Sequence, residues 1–376
     1  MKILILANND IGLYKFRKEL IEELIIRNYE VYISLPDGDF VEALKTLGCK
    51  YIKTDIARHG TNPIQDLGLL NFYKKIIRQI QPDMVLTYTI KPNIYGGLAC
   101  ASSDTPYLTN ITGLGTAVET KGFLQFITMT LYRKALRKAN TVFFQNRENE
   151  NFFLKHKLVL GKHKLIPGSG VNLSYYVPLP YPKSDTIEFV FIARIMKEKG
   201  IDQYLQAAEE IKRKYPNTKF HICGFCEESY EQVLQAFQEN GTIIYHGVVA
   251  DMKEIYKQIH CTVHPTYYPE GLSNVLLESA ASARPIITTD RSGCREVIED
   301  GVNGFICKQK DSNDLTMKIE NFLQLTWEEK RQMGLAGRTK VEQEFDRNII
   351  VNAYLQKIKE EGIEREALLA GENSGL

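Results

Sequence analysis

Phe189-Val190-Phe191-Ile192-Ala193-Arg194, followed by Lys197, Lys199 and Gly200, decides how this chain folds. Five consecutive apolar residues with no polar alternation read as a strand buried on both faces, which is the habit of parallel sheets. The run stops at Arg194, and a helical pattern restarts after Gly200. Loops at the carboxyl ends of parallel strands are where open α/β sheets bind ligands, and Arg194 with Lys199 is suited to a diphosphate. The same strand-then-helix rhythm recurs outward. Ile3-Leu4-Ile5-Leu6-Ala7, Val31 to Ser34, Met84 to Thr87 and Thr141 to Phe144 are strand candidates, with amphipathic helical stretches at Lys15 to Arg27 and Leu69 to Gln81. Alternating strands and helices imply right-handed parallel units, hence an α/β chain of two Rossmann-like domains facing across a cleft.

Pro178, Pro180 and Pro182 mark 174–184 as a linker that cannot sustain a helix. The expected division is 1–168 and 169–346, with a helix over 347–361 crossing back to the first domain and a peripheral, frayed tail over 362–376.

Further along lies Glu270-Gly271-Leu272-Ser273-Asn274-Val275-Leu276-Leu277-Glu278. Ser273 is a good helix N-cap ahead of an apolar run, so free backbone N–H groups should point out of this loop towards an anion. Glu270 in the loop and Glu278 on the second turn would accept hydrogen bonds from sugar and ribose hydroxyls.

Taken together and in this order, Arg194-x4-Lys199 and Glu270-x7-Glu278 resemble the retaining glycosyltransferases of family 4, which have the GT-B fold. Ile166-Pro167-Gly168-Ser169-Gly170-Val171-Asn172, Gly224, the turn His246-Gly247-Val248-Val249, and Asp290 to Ile298 with Asp300 to Gly304 resemble further family segments. The resemblance implies that Glu278 holds the ribose, that Glu270 contacts the donor sugar, and that Arg194, Lys199 and the backbone at Leu272 to Asn274 hold the diphosphate. It places the base near Val248 and gives Gly12, in the loop after the first strand, to the donor phosphates. Ala283, before Arg284-Pro285, stands where the family more often has Gly.

The chain has 376 residues, 44% of them apolar, enough for two cores. A net charge of +1 gives no reason to expect nucleic acid. No apolar run approaches the ~18 residues of a spanning helix, and the N-terminus is unlike a signal peptide, so a cytoplasmic protein is expected. Seven cysteines without framework spacing fit a reduced compartment. Cys223-Gly224-Phe225-Cys226 lacks a second pair for zinc or a thioredoxin-like setting, and His221, His246, His260 and His264 match no metal spacing. They read as structural; no metal and no cofactor is called for. G-x-G-x-x-G is missing after the first strand, which argues against a dehydrogenase.

Three polar, loop-forming segments, 58–63, 89–96 and 110–115, read as acceptor loops, with Arg58, Asn62, Lys91, Asn93 and Thr112 as candidates. The same segments resemble the family branch that builds bacterial capsule, O-antigen and N-glycan precursors on polyprenyl diphosphate, including GalNAc transferases. The implied reaction moves a hexose or N-acetylhexosamine from a UDP-sugar to a lipid-linked sugar, with retention. Within 116–138, Phe123, Leu124, Phe126 and Ile127 precede Arg133, Lys134, Arg137 and Lys138, a pattern suited to peripheral contact with an anionic membrane on its cytoplasmic side. Two other readings use the same architecture: a nucleotide-sugar 2-epimerase, and a non-catalytic UDP-sugar-binding subunit of a polysaccharide complex.

Overall fold

The computed structural model describes residues 1–56, 62–115, 118 and 122–373, with side chains to 362. The chain divides into two compact units, Met1–Ser169 with Arg347–Leu376, and Gly170–Asp346.

Unit 1 is built on a seven-stranded parallel sheet of β1 (Lys2–Leu6), β2 (Glu30–Leu35), β3 (Lys50–Lys53), β4 (Met84–Tyr88), β5 (Tyr107–Ile111), β6 (Thr141–Phe144) and β7 (His163–Leu165), in the order β3-β2-β1-β4-β5-β6-β7. Its helices are α1 (Asp10–Ile26), α2 (Val41–Thr46), α3 (Pro63–Ile80), α4 (Gly97–Ser102), α5 (Phe123–Ala135) and α6 (Arg147–Lys155). Side chains alternate across a strand, so β1 serves two cores. Ile3 and Ile5 pack with Leu20 and Leu24 of α1, whereas Leu4 and Leu6 pack with Tyr73 and Ile77 of α3.

Unit 2 carries β8 (Ile187–Ile192), β9 (Thr218–Cys223), β10 (Ile244–Tyr245), β11 (Cys261–His264), β12 (Ile286–Thr289) and β13 (Gly304–Cys307), ordered β10-β9-β8-β11-β12-β13 and parallel throughout. Helices α7 (Ile201–Lys214), α8 (Glu231–Glu239), α9 (Met252–Gln258), α10 (Asn274–Ala281), α11 (Ser312–Gln324) and α12 (Trp327–Glu344) complete it. Phe189 and Phe191 of β8 join Tyr204 and Ile211 on one face; Val190 and Ile192 join Tyr256 on the other. The strand order reverses between β8 and β11, the kind of point at which open α/β sheets bind ligands.

The proline-bearing stretch 174–184 is packed onto unit 2 instead of forming a free linker. Prolines offer carbonyls without N–H groups, and a buried guanidinium uses them: Arg284 donates to Leu179 O at 3.1 Å, Pro180 O at 2.8 Å and Tyr256 O at 2.6 Å. Trp327 Nε1 adds a bond to Pro182 O at 2.8 Å.

The last helix, α13 (Arg347–Asn373), belongs to unit 1. Arg347 pairs with Glu19 at 2.8 Å, and the Tyr354 hydroxyl accepts from Asn110 Nδ2 at 2.7 Å. The helix runs past Glu361 to Asn373, beyond the boundary expected from sequence. A lone Gly362 costs a helix only about 1 kcal/mol, and the residues after it are mostly strong helix formers.

Candidate functional site

At the reversal point of unit 2, the loops after β8 and β11 are fastened together. Tyr267 N–H donates to Glu198 O at 2.9 Å, while Ile195 N–H ties the first of these loops to the one after β9 through Phe225 O at 2.8 Å. Gly200 lies at φ +82° against the Pro265 carbonyl, where a Cβ would overlap it. That close approach delivers Lys199 into the β11 loop. Its ammonium is ion-paired with Glu270 and lies 4.7 Å from the centre of the Tyr268 ring. Arg194 lies 5.4 Å from the same ring and pairs with Glu227 at 3.2 Å. Tyr268 is therefore shared by both cations, a geometry that holds them together through the ring's negative face.

Lys199 is 8% exposed. Burial pushes the Glu270 carboxyl up, but the adjacent Lys199 charge and hydrogen bond outweigh it and hold the group below its ordinary value, ionised. Burial likewise works against the Arg194 charge, and Glu227 more than restores it. The two cations are thus pre-oriented by carboxylates, ready to exchange partners when a stronger anion arrives.

The end of α10 completes the cluster. Ser273 occupies the N-cap position, as expected, yet no side chain caps the helix. Its hydroxyl lies instead 3.3 Å from His264 Nε2, and burial, then the Lys199 charge, pushes that histidine down to about 4. The first backbone N–H groups of α10 have no partner within the helix, and their partial positive charge adds to the cations. Gly293, at φ +88°, presses against this loop: its carbonyl accepts from Ser273 N at 2.8 Å, and a Cβ there would come within 2.8 Å of Glu270 Cβ.

Arg194, Lys199, Glu270, Gly271, Ser273 and Asn274 therefore fall on these two loops and the start of α10. Leu272 turns its side chain into a core with Leu276 and Val171, leaving only its backbone to a ligand. Glu278 is half-buried on the second turn of α10. Val248 follows β10 with its side chain 72% exposed. Glu227 and Tyr268 were not singled out from sequence, and His264 was read only as a structural histidine. The aromatic pair Tyr267-Tyr268 just before Pro269-Glu270 was the available signal; nothing local marks Glu227.

In unit 1, Gly12 lies in the first turn of α1, and its N–H is taken by Asn9 Oδ1 at 2.6 Å. Several acceptor candidates are committed elsewhere. Asn62 caps α3 through Ile64 N at 3.1 Å. Lys91 is paired with Asp66 at 2.9 Å, with both side chains largely buried. Asn93 is buried and donates to Asn110 O at 2.8 Å. Thr112 remains half-buried in the loop after β5. Arg58 lies outside the described residues, as do 116–117 and 119–121 of the basic aromatic segment. No metal-ligating cluster occurs among the described residues, and Cys223 and Cys226 are free thiols.

Comparison with known proteins places this geometry. The profile for glycosyl transferases group 1 matches residues 181–340, and that for glycosyl transferase 4-like proteins matches residues 2–146. The chain is 27% identical over 375 residues to the N,N'-diacetylbacillosaminyl-diphospho-undecaprenol alpha-1,3-N-acetylgalactosaminyltransferase of Campylobacter jejuni, covering 95% of this chain and 98% of that one. Among solved structures, a glycosyltransferase from Rickettsia africae superposes with a TM-score of 0.78 at 19% identity, covering 96% and 98% of the two chains. The Anabaena protein HepE, in complex with UDP and glucose, superposes with a TM-score of 0.76 at 16% identity, covering 96% and 100%. The chain belongs to the glycosyltransferases of the GT-B fold, with a 4-like domain followed by a group 1 domain.

Proposed function

We propose that this enzyme moves a hexose or N-acetylhexosamine from a UDP-sugar to a hydroxyl of a polyprenyl-diphosphate-linked sugar, with retention and without a divalent cation, in bacterial surface polysaccharide or glycan synthesis. The observation that carries the donor half is the cluster of Arg194, Lys199 and the uncapped start of α10 at the strand-order reversal of unit 2. As the bond from the anomeric carbon to UDP breaks, negative charge grows on the diphosphate. These groups stabilise it most in the transition state, which is what accelerates a reaction. Lys199 turning to the diphosphate releases Glu270 to accept from sugar hydroxyls, and Glu278 takes the ribose. The acceptor oxygen bonds to the same face that UDP leaves, and its proton passes to the departing phosphate oxygen.

The acceptor half draws support from the Campylobacter relative, named for a diphospho-undecaprenol substrate. No helix among the described residues is long and apolar enough to cross a membrane. Helix α5 of unit 1 offers a peripheral contact instead: Phe123 and Phe126 are 79% and 68% exposed, ahead of exposed Arg133, Lys134 and Arg137. The test is a panel of UDP-sugars with a polyprenyl-diphosphate-linked sugar, in chelator, with NMR of the product. A new α-linked glycoside from an α-configured donor is expected. Conversion of UDP-sugar without acceptor, or no transfer to any lipid-linked sugar, would overturn the reading.

A further inference from the structure

Ser273 stands at the N-cap position of α10 with a side chain suited to capping, and it does not cap. A serine there ordinarily turns its oxygen onto the second or third N–H of the helix, here that of Val275 or Leu276. Its hydroxyl instead meets His264 Nε2 at 3.3 Å. Whichever of the two donates, the bond commits the hydroxyl to the end of β11. Ser273 is 4% exposed, and a buried hydroxyl left without a partner is costly.

Both ends of this bond are anchored. The His264 carbonyl accepts from Thr288 Oγ1 of β12 at 2.8 Å, and α10 is tied to β11 by Ser279 Oγ, which donates to Thr262 Oγ1 at 2.7 Å. Ser273 N–H donates to Gly293 O at 2.8 Å, so the serine backbone is fixed as well. Only rotation about its Cα–Cβ bond separates the two seats open to the hydroxyl, His264 or the first N–H groups of the helix.

We propose that His264 is a positioning residue of the diphosphate seat: by holding the Ser273 hydroxyl, it keeps the first N–H groups of α10 open for the donor diphosphate. This rests on unit 2 being the nucleotide-sugar half. His264 acts through Ser273 and needs no contact with the ligand. Without the imidazole, the buried hydroxyl turns to the helix, caps it, and competes with phosphate oxygens for the same donors. A cap of ordinary strength corresponds to about a fivefold change in affinity.

Calorimetric titration with inorganic pyrophosphate and with UDP tests it, on the wild type, His264→Leu, His264→Gln, and His264→Leu combined with Ser273→Ala. His264→Leu should weaken both ligands about fivefold. His264→Gln, which can still bond the hydroxyl, should lose less. The double variant has no hydroxyl with which to cap α10, so it should regain most of the affinity that His264→Leu loses. A merely structural role would leave the double variant as weak as the single one; that result overturns the proposal, as does wild-type affinity in His264→Leu. Amide exchange followed by NMR gives a reading that needs no variant to fold: in the wild type, the Val275 and Leu276 amides should exchange more slowly once pyrophosphate is bound. Equal protection with and without it, in a protein that calorimetry shows to bind pyrophosphate, overturns the proposal while sparing the donor reading. A wild type that binds neither pyrophosphate nor UDP overturns the donor reading, and this proposal with it.

Discussion

Lys199 and Arg194 carry similar charges in one cluster, yet their removal should cost different things. Lys199 is buried against Glu270, so Lys199→Ala takes an ion-pair partner from a largely buried carboxylate and should cost about 3 kcal/mol of stability as well as turnover. The Arg194 side chain is 26% exposed, so Arg194→Ala should lower kcat by about a hundredfold and cost less stability in urea unfolding than Lys199→Ala. Lys199→Ala combined with Glu270→Gln should regain stability without activity. Near-wild-type turnover in Arg194→Ala would contradict its assignment. Histidines add a pH dependence. Burial, the leading cause for both, pushes His260 and His264 down to about 4. Between that value and the ordinary 6.5 the unfolded chain binds more protons, so stability is complete above about pH 6.5 and falls towards pH 4, by about 3 kcal/mol per histidine. His264→Gln should flatten that slope in denaturation curves recorded from pH 4 to 7; an unaltered slope would refute the assignment.

Among elements, α10 shows why one departure from the family matters locally. Its C-terminus closes with Ala283 N–H to Ala280 O at 2.9 Å and Arg284 N–H to Ser279 O at 3.0 Å, which places Ala283 at φ +55°. This is the position where glycine is favoured, and Ala283→Gly should stabilise the protein by roughly 0.5–1 kcal/mol in urea titrations. A loss of stability would show that the alanine methyl contributes more than its strain costs. Helix α5 presents the opposite case: its later turns pack through Tyr132 and Met129, while Phe123, Leu124, Phe126 and Ile127 of its first turns are exposed. If it docks on lipid, Phe123→Ser with Phe126→Ser should weaken binding to anionic vesicles by about tenfold or more, measured by cosedimentation, and leave UDP binding intact; equal vesicle binding would remove α5 from the interface. Strands were legible where apolar runs were continuous, as at Phe189 to Ile192. β3, with lysines at both ends of Lys50–Lys53, and three-residue β7 escaped notice because edge strands need little apolar surface. Asn110 was read as a loop residue but lies within β5: its polarity is satisfied by Tyr354, 244 positions away, a pairing no local pattern reveals.

At the scale of the whole molecule, the two units repeat one plan, a parallel sheet whose strand order reverses beside its first strand. Alternating periodicity was enough to read that plan, and the spacing of Arg194, Lys199, Glu270 and Glu278 was enough to single out the two loops that unit 2 brings together. What spacing could not show is that each cation arrives already paired, Lys199 with Glu270 and Arg194 with Glu227, because those contacts join strands far apart in sequence. Nor could it show that Lys91 pairs with Asp66, or that Asn93 donates to Asn110 O, inside unit 1. The central claim, a UDP seat at the reversal point of unit 2, is tested most directly by the melting temperature with saturating UDP, compared with ADP, GDP and NAD. At a hundred times its Kd, a ligand that binds only the folded state adds about 2.7 kcal/mol. A shift with UDP that the other three do not match, and that disappears in Arg194→Ala, is the expected result; no shift with UDP, or the same shift in Arg194→Ala, would contradict it.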